Sequence, residues 1–431
     1  MAGAALLLLP LAACSGSSGG TGDSGGSDGS GGQGTAEIVW STWGTPEELS
    51  RVQELTDTFN EENADIAVTL QPVASYGDYH SKLLAQLTSG TAPDVFYIGD
   101  DYLGQFVDAG VLHPLSELMA SEASETSVDD FYPGIFGVAQ QDDEIYAAPN
   151  DVNPDALWYD KEALAAAGIT EDPAELAAAG EWTTDTFLEM SDALADAGLT
   201  AAMFWNYWAT HYSWISSQGG TAYDEEGAFV ADEDPTSVAA LEEFAQRFQD
   251  EQFVIADTLP EGAGADSLFV THKAGFFAQG RYTIGTITSA GVEDSYDIVR
   301  WPTPDGAEAP TGVAASYLAI NKDTDDLDAA FRFWTAFLSA EGQTFRLGGG
   351  GNAVPSIDGA DDVVLEGGIP PHAETFLEMR DIGFANHPAE AAVPGLSSDI
   401  SELMLQLYQG KSDAQSTLTE VAGLVEAETA S

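Results

Sequence analysis

Aromatic rings and short polar side chains recur together in this 431-residue chain, and that pairing is its first chemical clue. The run Phe204-Trp205-Asn206-Tyr207-Trp208, with Tyr212 and Trp214 following, holds more rings than a core strand requires. Trp43 precedes Gly44, Asp100 and Asp101 follow Gly99, and Asn150 and Asp151 follow Pro149. Arg281 and Tyr282 follow Gly280, and Asn352 follows Gly348-Gly349-Gly350-Gly351. Carboxylates and amides bond hydroxyls, the planar Arg fork reaches several at once, and ring faces pack against C–H groups. These sets therefore suit a polyhydroxylated ligand. Each also has a plainer reading as a core ring, a solvated carboxylate, an ordinary salt bridge or an Asx turn.

Other chemistries find little support. The six histidines show neither His-Glu-x-x-His nor His-x-His spacing, so we expect no metal site. No Gly-x-Ser-x-Gly marks a hydrolase nucleophile, and no calcium-loop pattern occurs among the carboxylates. No cofactor motif stands out. With 72 Asp and Glu an acid/base pair for glycoside cleavage has material, but no spacing singles one out. Lys and Arg number 12, giving a formal net charge of -60, so no basic patch for nucleic acid can be assembled. At 44% hydrophobic residues the chain is globular, with length for two sizeable domains. The surplus acid reads as a solvated surface.

These residues need elements to hold them. Segment 37–40 reads as a strand, with Trp40 in the core and Trp43 in the loop after it. Helical spacing of Leu49, Val52, Leu55 and Phe59 predicts a helix over 47–60. Strand 65–73, helix 79–87 and buried strand 93–98 follow, giving a β-α-β-α-β order and a largely parallel α/β sheet. Segments 145–149 and 156–159 read as extended, and 162–167, 184–197 and 237–249 as helices. Strands are expected at 274–277, 298–301 and 316–321, and helices at 327–338, 373–381, 397–408 and 413–427. Trp205 and Trp208 lie three apart, so a shared helical face is one arrangement.

The order of short motifs then resembles a known family. Leu11-Ala12-Ala13-Cys14 after the apolar run Leu6–Leu9 is similar to the lipobox of bacterial lipoproteins, and Cys14 is the only cysteine. Ile38-Val39-Trp40, Phe59-Asn60-Glu61-Glu62-Asn63, Lys82-Leu83-Leu84 and Ala92-Pro93-Asp94-Val95 follow in order. Segment 145–164 (IYAAPNDVNPDALWYDKEAL), segment 272–282 (HKAGFFAQGRY), Gly342-Gln343 and Val354-Pro355 continue the pattern. Together they resemble the maltose-binding-protein-like, family 1 solute-binding lipoproteins of bacterial carbohydrate ABC importers.

That resemblance implies a two-lobed, type II periplasmic-binding-protein-like α/β fold, each lobe a mixed sheet flanked by helices, joined by a multi-strand hinge. A signal peptide would cover 1–13 and a lipidated tether 14–36. Lobe 1 would hold 37–146 and 315–356, and lobe 2 would hold 147–314 and 357–431. A mono- or oligosaccharide would bind between the lobes and pass to the permease subunits of an ABC importer. The protein would be a monomer without catalytic activity, held outside the cell membrane by lipid on Cys14, with no nucleic-acid partner. The cleft would be lined by Trp43, Asp100, Asp101, Asn150, Asp151, Arg281, Tyr282 and Asn352, with at least one of Trp205, Tyr207 and Trp208 stacking on the ligand. Tyr102 stands where maltose binders carry an Arg, a departure bearing on sugar specificity. The same fold receiving a polyamine or metal ion, or a secreted carbohydrate-active enzyme, are the competing readings.

Overall fold

Apolar runs buried along most of their length shape most of the strands, with alternation clear in Ile66–Val73. The computed structural model describes residues 35–429 apart from 74–75, 133, 142–143, 225–226 and 260–263, so Cys14 and the expected leader lie outside the described residues. The principal strands are β1 (Ala36–Trp43), β2 (Ile66–Val73), β3 (Val95–Gly99), β4 (Ala147–Pro154) and β5 (Ala156–Asp160). They continue as β6 (Thr200–Phe204), β7 (Phe253–Ile255), β8 (Ala274–Gln279), β9 (Tyr296–Val299) and β10 (Val313–Ile320). One five-stranded sheet runs β2-β1-β3-β10-β4 and the other β9-β5-β8-β6-β7.

Both sheets are mixed. β1 is parallel to β2 and β3, whereas β10 is antiparallel to β3 and β4. In the second sheet β6 is parallel to β7 and β8, and β5 is antiparallel to β8 and β9. The parallel arrangement expected from the N-terminal β-α-β-α-β order thus covers β1 to β3 and recurs among β6, β7 and β8, while β10 and β5 each run antiparallel to both of their neighbours.

Local chemistry fixes the flanking helices. Thr45 and Glu48 form a capping box that starts helix Pro46–Glu62, satisfying amides that the first turn leaves without partners. Trp40 is fully buried, as expected; its indole N–H donates to Thr56 Oγ1 at 2.9 Å and its ring packs on Phe333 and Phe337. β5 and β8 are buried along their whole length, which their Ala, Leu, Phe and aromatic content permits.

The chain crosses between sheets at one residue. Asp155 alone separates β4 from β5. Its amide donates to the Gly312 carbonyl at 3.1 Å, and its own carbonyl accepts from the Trp301 indole. Gly312 lies just before β10 on the return path, where an added Cβ would come within 2.6 Å of the Ala209 Cβ. Only glycine lets those backbones meet. β4, expected to open the second lobe at 147, pairs with β10 from Val313↔Pro154 to Ala319↔Ala147 and so borders the first sheet. The passage lies eight residues later, at Asp155.

Asp155 is 1% exposed, and burial pushes its carboxyl from 3.8 up to about 7. Between those values the folded protein holds the proton more tightly than the unfolded chain. The stability contributed here is full below 3.8 and is lost as pH rises through about 7. Asp155→Asn is expected to flatten that decline. Melting temperatures of both proteins measured across this window check it, and parallel curves would contradict it.

Candidate functional site

Strand ends from both sheets surround a cavity of about 1120 Å³. Trp43, the last residue of β1, and Tyr97 in β3 form one aromatic wall, their rings edge-on at 6.3 Å. Trp43 thus ends the strand instead of sitting in the expected loop. Trp205, Tyr207 and Tyr282, from segments that follow β6 and β8, line the cavity as well. Tyr282 is 39% exposed, unusually open for a ring of its size in this fold.

Asp100 and Asp101 enter the lining from the first turn of helix Asp100–Asp108, which begins directly after β3. Asp100 Oδ1 accepts from the Asp101 amide at 3.0 Å, and Oδ2 from the Ala315 amide at 3.4 Å. Burial pushes the Asp100 carboxyl well above its usual range, and the charge of Asp101 pushes the same way. Asp101 keeps solvent contact through the cavity, yet the surrounding protein displaces bulk water and pushes its carboxyl up to about 6.

The site has a stiff polar floor. Asp151 Oδ1 accepts from Ser316 Oγ at 2.6 Å, and Oδ2 accepts from Arg346 at 2.7 Å and from the Asn150 amide at 3.0 Å. Asn150 also donates to Ser316 Oγ at 2.9 Å, while Arg346 donates to the Asn150 carbonyl. Burial pulls the Arg346 guanidinium down and Asp151 partly restores it. Asn150 Oδ1 is buried without a hydrogen-bond partner among the described residues.

The glycine-rich segment forms the rim. Asn352 Nδ2 donates to Glu48 Oε1 at 2.8 Å, and Arg51 donates to the Gly348 carbonyl, so helix Pro46–Glu62 is tied to this segment. The amide expected to face the ligand is therefore already engaged with Glu48, although Asn352 lines the cavity.

Nine of the residues singled out in sequence line the cavity: Trp43, Asp100, Asp101, Asn150, Asp151, Trp205, Tyr207, Tyr282 and Asn352. Trp208 and Arg281 do not. Trp208 is 1% exposed, beginning helix Trp208–Ser217 beneath the cavity and packing toward Phe384. Trp205 lies in the connection after β6, so no helical face joins the two rings. Arg281 is fully buried, donating to the carbonyls of Leu347, Gly351, Ala353 and Val363 at 2.7–3.3 Å. It positions the glycine-rich rim instead of meeting a ligand. Gly280 before it leaves no room for a side chain, since an added Cβ would lie 2.5 Å from Asn153 Oδ1.

Sequence reasoning passed over Tyr97, Ser316 and Arg346. A polar Ser in an apolar strand and an Arg just before four glycines were the available signals. Among the described residues, no group of three or more His, Cys, Asp or Glu is arranged to hold a metal ion.

Residues 43–344 match the family model of bacterial extracellular solute-binding proteins. The maltotriose-binding protein of Pyrococcus abyssi is 22% identical over 307 residues, covering 69% of this chain and 61% of that relative. The chain thus spans less than two thirds of that relative's length. An ABC substrate-binding protein from Listeria monocytogenes in complex with cycloalternan superposes with a TM-score of 0.77 at 18% identity, covering 91% of this chain and 98% of that one. The cyclic alpha-maltosyl-1,6-maltose binding protein from Arthrobacter globiformis gives 0.74 at 18% identity, with 92% and 99% covered. At such identity these likenesses establish the fold.

Proposed function

The chain belongs to the bacterial extracellular solute-binding proteins, and from that premise we propose that it captures an oligosaccharide between its two sheets and delivers it to an ABC importer. One observation carries the reading: a cavity of about 1120 Å³ lined by aromatic rings beside carboxylates and an amide. That volume exceeds the roughly 300–1,000 Å³ of ordinary small-molecule sites, which favours an oligosaccharide over a single sugar. Rings supply stacking faces, and the carboxylates accept hydroxyl protons. The relatives named for maltotriose and for cyclic sugars lend the same direction.

Binding would be coupled to closure. The two lobes would turn about Asp155 and the return path before β10, with β4 moving alongside β10 in the first sheet. Ligand can shift that equilibrium only by its differential affinity for the open and closed forms. The described lining offers positioned acceptors, and its one hydroxyl beside a carboxylate, Ser316 on Asp151, is held in a buried floor with Arg346 and Asn150, so the sugar should leave unchanged. Lipid on Cys14 would keep the receptor at the outer membrane face, where several acyl chains suffice as an anchor.

The test is a titration with a panel of neutral oligosaccharides, followed by tryptophan fluorescence and calorimetry. Saturable binding, intact sugar after incubation and a smaller radius of gyration by X-ray scattering are expected. A Cys14→Ala protein should bind equally well and appear in the medium. No binding across the panel, or hydrolysis with turnover, would refute the receptor.

A further inference from the structure

Carboxylates outnumber cations around the cavity, and the cations there are already engaged. Glu48, Asp100, Asp101, Asp151 and Asp257 line it against Arg51 and Arg346. Arg346 is held by Asp151 and by the Asn150 carbonyl. Arg51 points its guanidinium at the carbonyls of Arg346 and Gly348, outside the floor. Arg281 lies behind the rim, fully buried and surrounded by carbonyl oxygens.

The acids divide differently. Glu48 is occupied by the Thr45 amide and Asn352, Asp151 by its Arg and Ser partners, and Asp257 by the Asn206 amide at 2.8 Å. Asp100 accepts only from backbone amides, and the structure shows no ion pair to Asp101 among the described residues. Tyr207, from the segment after β6, lines the same cavity opposite them. Asn150, 6% exposed, belongs to the same lining, and its Oδ1 has no hydrogen-bond partner among the described residues. Carboxylates of this lining without a cationic partner thus outnumber its one cation bonded only to carbonyls, Arg51.

We propose that Asp100 and Asp101, once ionised, make the cleft a charge filter that admits uncharged or amine-bearing oligosaccharides and rejects sugar acids. The proposal rests on the carbohydrate-receptor reading and names the ligand class of that same site. A hydroxyl or ammonium group donates into this set. A uronate carboxylate offers no proton and meets like charge at partly desolvated distances, where Coulomb repulsion is several times stronger than in water.

The experiment uses the full chain and measures affinity by calorimetry for matched probes. Each neutral di- to tetrasaccharide of glucose, galactose and xylose is tested, and hexose oligomers that bind are paired with their C6-oxidised uronates. Glucosamine oligomers are compared with their N-acetylated forms. The uronate should bind about 30-fold more weakly or worse at low ionic strength, and the amine should bind no more weakly than its acetylated form. Raising ionic strength from about 0.01 to about 1 M should shrink the neutral-to-acid ratio, because the Debye length contracts from about 30 to about 3 Å. Asp100→Asn/Asp101→Asn should lower that ratio about tenfold, whatever it does to affinity for the neutral sugar.

The ratio is the readout, and the salt series keeps the question decidable if the double variant fails to fold. A uronate bound within about threefold of its neutral partner, or a ratio unmoved by salt, would overturn the filter while leaving the receptor intact. Failure of every neutral and charged sugar to bind would remove the receptor reading, and this proposal with it.

Discussion

Replacing Trp208 with Ala is expected to destabilise the ligand-free protein by about 3–5 kcal/mol, whereas Tyr282→Ala leaves its stability nearly unchanged. Trp208 is 1% exposed and wedged between the start of helix Trp208–Ser217 and Phe384, so truncation leaves a cavity the surroundings cannot refill. Tyr282 stands 39% exposed on the cavity wall and has little packing to lose. Affinity should respond in the opposite order. Tyr282→Ala should weaken sugar binding by roughly 1–3 kcal/mol through lost stacking and burial, while Trp208→Ala acts on affinity only through the fold. Denaturant unfolding and calorimetry on both variants separate the two rings. If Trp208→Ala unfolded like the wild type yet bound sugar poorly, Trp208 would be a cleft residue after all.

That contrast marks how far the sequence could be read. Alternation located β2 and helical spacing the helix Pro46–Glu62, because each buries one face and exposes the other, while β1 and β3 stood out as short apolar runs. The same logic could not separate Trp205 from Trp208. Three residues apart, they look like one stripe, but β6 ends at Phe204 and a new helix begins at Trp208, so the rings part company. Arg281 failed for a different reason. Its type suits hydroxyls, and nothing local reveals that four carbonyls from residues 347–363 converge on it. Likewise the bond from Asn352 to Glu48 joins positions 304 residues apart. Asp100–Asp101 was legible because the end of β3 presents both members, and Asn150–Asp151 because a polar pair follows Pro149 within β4. Their partners Ser316 and Arg346 come from distant segments and were not.

The floor of the cleft gives the second large effect. Asp151→Ala is expected to destabilise the protein by about 3–5 kcal/mol, since it leaves the Arg346 guanidinium buried without its counter-charge. Arg346 is 5% exposed, and its bond to Asp151 Oδ2 is 2.7 Å long. Burial already pulls this guanidinium down even with Asp151 present, so the opposing carboxylate is what keeps the charge tolerable. Changing both residues should tell a different story from changing one. Asp151→Ala/Arg346→Met removes the charge along with its partner and keeps an apolar stem against Phe337, whose ring centroid lies 4.9 Å from the guanidinium. The double variant should therefore be more stable than Asp151→Ala alone, with a coupling energy of about 0.5–3 kcal/mol. Recovered stability need not restore binding, because Asn150 and Ser316 lose the carboxylate that orients them. Urea unfolding of the four proteins of the cycle gives the coupling directly. Strictly additive losses would mean that Asp151 and Arg346 act independently, and the floor would then owe its rigidity to the Ser316 and Asn150 bonds alone.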